Sequence, residues 1–268
     1  MGVRSRRLSA VQKSLGPVSA SVPSSEEIFK SFNTWRFKRE QPSDSQATLN
    51  AISIARANRA PVPFVLYWGK GPRNDLAMPD EQCLDYLSAV GQSVANLYEH
   101  GARITLICTD THAQLNGYSS TDSTRYFDAI RNAGARRGFE CVKLSDLILN
   151  NAEVVAGIDI DELPPNLLPV LSSSAAKWHG GGLAPVDAAK KYYMQNMREK
   201  RAVECAFPDA IFITFNSSKH RPLFPAKMPI FYMYALKKGI AKKPWFLDEN
   251  GDDPTFANDP RGSESGHA

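Results

Sequence analysis

The sequence predicts an α/β domain with a mostly parallel sheet flanked by helices. Three observations predict it. Short apolar runs at 63–68, 103–109 and 139–144 alternate with longer stretches of helical spacing. The first two runs end abruptly in charged or polar residues, Gly69-Lys-Gly-Pro-Arg73 and Asp110-Thr-His112. Buried strands that end in reactive side chains are what an open parallel sheet presents at its ligand crevice. Strand–helix–strand–helix–strand is also the order of a doubly wound sheet with right-handed crossovers.

The elements follow in order. Ser24-Ser25-Glu26-Glu27 has the form of a helix start and leads into Ile28, Phe29 and Phe32. Phe37 to Asp44 is a polar connection, and Ala47–Arg59 is a second helix. Ala60-Pro61-Val62-Pro63 breaks that helix and launches the first strand. Asp80, after Pro79, is the expected N-cap of a helix carrying Leu84, Leu87, Val90, Val94, Leu97 and Tyr98, with Gly101 at its end. Thr121 or Asp122 caps the next helix, whose apolar face is Tyr126, Phe127 and Ile130 and whose stop is Gly138. The pattern is lost from Asn150 to Gly182. Pro164, Pro165, Pro169, Ser172–Ser174 and Gly180–Gly182 predict an irregular lid over 150–182. Helix returns over 186–207, and strands follow at 210–215 and 230–234.

Composition narrows the class. With 43% hydrophobic and 22% charged residues, the 268-residue chain has the make-up of a globular domain. No apolar stretch approaches the roughly 18 residues that span a bilayer, so no membrane partner is expected. Residues 1–25 hold Arg4, Arg6, Arg7 and Lys13 and no acid, while 248–268 hold six acids against Arg261. The expected organisation is a disordered basic arm at 1–25, one catalytic domain at 26–247 and a disordered acidic tail at 248–268. An organelle transit peptide is the alternative for the arm. There is no secretory h-region, and Arg6 breaks the myristoylation pattern despite Gly2. The body keeps a mild positive surplus, which suits an anionic small molecule better than duplex DNA. Cys83, Cys108, Cys141 and Cys205 form no C-x-x-C pair, and the five histidines lack ligand spacing. Reduced core thiols, no metal, no cofactor and a cytoplasmic location are expected.

Four segments can carry chemistry. Gly69-Lys70-Gly71-Pro72-Arg73 can cradle phosphate through backbone N–H groups and two cations, or form a tight turn with solvated charges. Asp110 and His112 can share acid–base work with Asn116 nearby, or belong to an Asx-type turn. Arg198-Glu-Lys-Arg201 reads as a solvated helix face with two cations in reserve. Asn216-Ser-Ser-Lys219-His220-Arg221 fits an anionic ligand or an ordinary polar loop. Trp178-His179-Gly-Gly-Gly182 resembles an esterase oxyanion loop, but the chain has no G-x-S-x-G elbow, so the glycines read as a hinge.

Several motifs, in their order, resemble the isonitrile (isocyanide) synthase family, also called the pyoverdine/dityrosine biosynthesis family. Pro79-Asp80 with Leu84 and Leu87 is similar to its P-D helix. Tyr98-Glu-His-Gly101-Ala102 through Thr109-Asp110 is similar to its strand and S-D-G loop. Met194, Met197, Arg198 and Arg201, followed by Ile211–Thr214, resemble its M..R helix and S-I-H strand, and Lys243-Pro244-Trp245-Phe246 its closing T-P-W-H. The likeness covers roughly residues 60–247. It implies a Rossmann-like enzyme that condenses the amine of an amino acid with ribulose 5-phosphate, with loss of phosphate. Asn216 and Phe246 stand where the family has histidines, and Thr111 where it has glycine. An amide cannot take a proton as imidazole does. His112 or His220 must then take over, or the chemistry differs.

The resulting expectation is a biosynthetic enzyme of this type. Asp110, His112 and His220 are the candidate catalytic residues. Lys70, Arg73, Asn116, Arg198, Arg201, Asn216, Lys219 and Arg221 are the candidate substrate-binding residues. The expected partners are an amino acid and a sugar phosphate, with no nucleic acid; a homo-oligomer is compatible with the sequence. The alternatives are a transferase or lyase on another phosphorylated small molecule and a binding protein with altered catalysis.

Overall fold

The structure is a computed structural model and describes residues 22–69, 75–156, 163–178 and 182–233. Lys70, Arg73, His179, the 243–246 motif, the acidic tail and all but the end of the basic arm lie outside the described residues.

Five strands make one sheet: β1 (Val62–Trp68), β2 (Ala102–Cys108), β3 (Glu140–Lys143), β4 (Ile211–Thr214) and β5 (Ile230–Tyr232). Their order is β3-β2-β1-β4-β5 and every neighbouring pair is parallel. The α/β, Rossmann-like expectation is met. Strand order reverses beside β1, so the crevice of a doubly wound sheet falls at the C-terminal ends of β1 and β4. All strands being parallel, the segments after β1, β2 and β4 leave from one edge.

Nine helices cover the sheet among the described residues: α1 (Ser25–Phe32), α2 (Ser45–Ala57), α3 (Met78–Ala95), α4 (Asp110–Leu115), α5 (Ser120–Ala135), α6 (Leu144–Asn150), α7 (Ala152–Ala156), α8 (Leu168–Trp178) and α9 (Pro185–Ala206). Period-2 alternation sorts β1 between two cores. Phe64, Leu66 and Trp68 pack with α1, α2, α3 and α5, while Val65 and Tyr67 pack with α6, α7 and α9. A third cluster joins Leu167 and Leu171 to Ala189, Tyr193 and Leu223.

Several boundaries differ from expectation for physical reasons. The segment 150–182 is not irregular throughout. Its leucines bury against α9, and Pro169 sits in the first turn of α8, where a missing N–H is tolerated. Asp80 is not an N-cap. Helix α3 starts at Met78, and Asp80, one turn in, accepts the N–H of Ala77 at 3.0 Å. Its other oxygen accepts from Tyr126 Oη at 3.0 Å, and Tyr126 accepts from Trp68 Nε1 at 3.2 Å. The cap of α5 is Ser119 rather than Thr121 or Asp122. Gly101 closes a turn after Tyr98, since α3 has already ended at Ala95. Gly138 does stop α5: at φ 75° it donates to Ala135 O while Phe139 N–H reaches back to Gly134 O, a Schellman closure. The segment that opens on Asp110 is not a loop but the short helix α4.

Candidate active site

The site is built where α9 crosses the C-terminal edge of the sheet. Ala189, Tyr193, Asn196, Lys200 and Val203 recur at helical spacing and are buried, and Glu199 lies on the same stripe. Glu199 is fully buried, at 0% exposure. A carboxylate taken out of water needs donors, and three are present. Thr111 Oγ1 donates to Oε1 at 2.6 Å and Gln195 Nε2 donates to the same oxygen at 3.1 Å. The other oxygen, Oε2, pairs with His112 Nε2.

That last contact fixes the imidazole. A carboxylate only accepts, so Nε2 donates, and in the neutral ring Nδ1 is the nitrogen that presents a lone pair. Nδ1 has no hydrogen bond among the described residues, and the His112 side chain is 12% exposed. A base with one nitrogen anchored to a buried carboxylate and the other without a partner among the described residues is an arrangement that general-base catalysis can use. Two phenols flank it. The ring of Tyr192 lies 5.1 Å from the His112 ring and that of Tyr67 6.4 Å. Burial first, and then the charge of Glu199, pushes both phenols above their ordinary range, so both stay neutral.

The edge around this pair is stiff. Thr109 Oγ1 lies within hydrogen-bond reach of the carbonyls of Trp68 and Gly69, tying the end of β1 to the end of β2. Gly69 has φ 100°, and a Cβ there would stand 2.6 Å from the Phe127 ring. Only glycine turns the chain here. Among the described residues no group of three or more His, Cys, Asp or Glu could hold a metal ion.

The candidate residues divide by place. Asp110 and His112 share α4, but Asp110 does not hold His112. Its carboxylate accepts the backbone N–H of Ser145 at 3.1 Å and the Ser145 hydroxyl, pinning the first turn of α6. Asn116 is the C-cap of α4, with its N–H on the carbonyl of His112. Asn216, Lys219, His220 and Arg221 follow β4, the last three on a 3-10 turn at Ser218–Leu223. That turn is tied to α9 by Lys200 Nζ on Pro222 O at 2.7 Å and Asn196 Nδ2 on Leu223 O at 3.1 Å. Arg221 donates to the carbonyls of Pro225 and Ala226, each at 2.9 Å. Glu40 already takes the N–H of Ser218 at 3.3 Å, so an acid occupies the start of the turn. His220 Nδ1 lies 3.5 Å from Ser217 Oγ. Arg198 is exposed, and Arg201 pairs with Glu204 at 3.6 Å.

Glu199, Tyr67, Tyr192, Thr111 and Gln195 were not candidates from sequence. The run Arg198-Glu-Lys-Arg201 reads as a solvated face, yet its middle two residues are buried. The stripe running from Ala189 to Val203 held the signal: it passes through Glu199 and Lys200.

No family model and no curated protein matches the sequence. Among solved structures, the chain is similar to the PvcA protein from Pseudomonas aeruginosa, with a TM-score of 0.56 and 17% identity over 82% of this chain and 87% of that one. It is also similar to tyrosyl-tRNA synthetase from Archaeoglobus fulgidus, solved in complex with L-tyrosine, with a TM-score of 0.52 and 13% identity over 81% of this chain and 66% of that one. Among the described residues no helix is long and apolar enough to cross a membrane. At such identities the likeness is one of fold, and the fold shared is a parallel-sheet α/β domain of Rossmann-like form.

Proposed function

We propose that the chain is a biosynthetic enzyme of the isonitrile-synthase type, which condenses the amine of an amino acid with a sugar phosphate such as ribulose 5-phosphate. The observation that carries the reading is the His112–Glu199 pair at the C-terminal edge of the sheet. It supplies an anchored imidazole in a chain whose Asn216 and Phe246 replace the family's histidines. The fold shared with the PvcA protein supports it, as do the ordered motifs. In this reading His112 Nδ1 takes the proton that the amine releases on attack, and Glu199 steadies the imidazolium. Lys70 and Arg73, which follow Gly69 directly, neutralise the phosphate. Asp110 acts through α6 rather than on the amine.

The test is phosphate release from ribulose 5-phosphate by the purified protein, across the common amino acids. Release that falls by on the order of 10²-fold or more in His112→Asn supports the reading. Silence with every amino acid refutes it. A second reading, a transferase or lyase on another phosphorylated metabolite, is favoured by Asn216 standing in place of histidine. Phosphate release or a ligand-induced thermal shift with a different sugar phosphate would select it.

A further inference from the structure

The Tyr67 hydroxyl is buried and has no hydrogen-bond partner among the described residues. Leaving such a group unpaired carries a desolvation cost that phenylalanine would avoid. Its place is not arbitrary. Tyr67 is the penultimate residue of β1 and faces the α9 side of the sheet, at the switch point beside β4. Its ring meets Phe212 edge-on at 5.0 Å and 73°, and the His112 imidazole at 6.4 Å and 61°. The residue as a whole is half-buried and stands beside His112, whose side chain is 12% exposed. A buried polar atom without a partner next to a candidate base marks ground that a polar ligand can occupy.

We propose that the Tyr67 hydroxyl is the hydrogen-bond donor for the ligand oxygen that reacts beside His112. Resting on the function proposed above, that oxygen is the ketone oxygen of the sugar phosphate. The amine lone pair forms the N–C bond and the C=O π pair moves onto oxygen. His112 takes the N–H proton and returns it to that oxygen. The product is a carbinolamine; nothing leaves and nothing is oxidised. Tyr67 steadies the oxyanion while it is charged. Burial and the charge of Glu199 push the phenol up, so it keeps its proton and remains a donor.

Tyr67→Phe removes one oxygen and keeps the ring. The expected result is a thermal midpoint equal to or above that of the wild type, with turnover in the phosphate-release assay lower by on the order of 10²-fold. Unchanged turnover overturns the proposal, and so does a lowered midpoint with normal turnover, which would make the hydroxyl structural. If the wild type releases no phosphate, the isonitrile reading fails by itself, and Tyr67 is judged on thermal shifts with ribulose 5-phosphate and other pentose phosphates. A wild-type shift lost in Tyr67→Phe supports the donor role. An equal shift in both proteins, or none in the wild type, overturns it.

Discussion

Glu199→Gln separates the chemistry of the site from its scaffold. The wild-type carboxylate accepts from Thr111, Gln195 and His112 at once. A glutamine offers one oxygen and one NH₂ in the same volume. With its oxygen kept toward Thr111 and Gln195, the NH₂ faces His112 Nε2, which must then accept. The imidazole proton moves to Nδ1, and that nitrogen becomes a donor instead of a base. If the amide flips, the charge that steadied the imidazolium is still lost. General acid–base catalysis contributes about 10²–10⁴-fold, and the amide-for-carboxylate change in a hydrolase triad costs on the order of 10⁴. His112 is partly exposed, so water can share the load; the expected loss in kcat is about 10²–10³-fold. Stability behaves differently. The bonds survive in number and a buried charge is removed, so unfolding free energy should move by about 1 kcal/mol or less. Glu199→Ala strands a hydroxyl, an amide and a ring N–H, and should cost about 3–5 kcal/mol. The assay pairs phosphate release at saturating substrate with urea denaturation. Wild-type turnover in Glu199→Gln refutes the reasoning. Equal destabilisation of the Gln and Ala variants does so too, since it would make Glu199 a packing residue.

Other expectations follow from single contacts. Gly69→Ala must hold alanine at φ 100° with its methyl against the Phe127 ring, so urea denaturation should show a loss of about 2–4 kcal/mol. Arg221→Ala removes a guanidinium that ties Pro225 and Ala226 and should lower stability by about 2 kcal/mol. A normal thermal midpoint with a raised KM would instead make Arg221 a ligand contact. Burial pushes the Cys108 thiol up to about 12, so native protein at ~pH 8 should react with iodoacetamide at the half-buried Cys205 well before Cys108, read by peptide mass spectrometry. That raised thiol also predicts alkaline weakening. The folded state favours the protonated form, so its contribution is complete below the ordinary value of 9.0 and is lost as pH rises toward about 12; Cys108→Ala should flatten the slope of stability over that window.

Much of the fold was legible because strands on the inside of a parallel sheet are short, apolar and bounded by polar residues. Val62–Trp68 and Ala102–Cys108 satisfy that rule plainly, and the helices between them carry their period openly. The segment 150–182 was not legible. Pro169 sits in the first turn of α8 and Ser173 and Ser174 are exposed, while the few leucines that bury the segment touch residues distant in sequence, such as Ala189 and Leu223. Of the site, His112 was legible from its place after β2. Its partner was not, because Glu199 lies 87 residues on, inside a charged tetrapeptide. Asp110, the neighbour that spacing suggests, is spent on Ser145. Local spacing finds the base; only the tertiary crossing of α9 over the sheet edge finds what holds it.

Among the described residues two carboxylates are buried, and comparing them separates scaffold from site. Asp80 is 1% exposed and Glu199 0%. Asp80 takes the first amide of α3 and the Tyr126 phenol, and through that phenol anchors the Trp68 indole. Its two oxygens both accept, closing a helix end and filling a core. Glu199 ends no helix. It stands well inside α9, where a leucine would carry no buried charge, and a buried charge often fails to repay its desolvation. What the carboxylate adds is a fixed tautomer on an imidazole whose other nitrogen has no partner among the described residues, with a neutral phenol beside it. Burial alone therefore does not mark function here; burial against a base that faces the C-terminal edge does. Asp80→Asn should accordingly lower stability while turnover per folded molecule stays within about threefold of wild type, the reverse of Glu199→Gln. A matching loss of turnover in Asp80→Asn would dissolve the distinction.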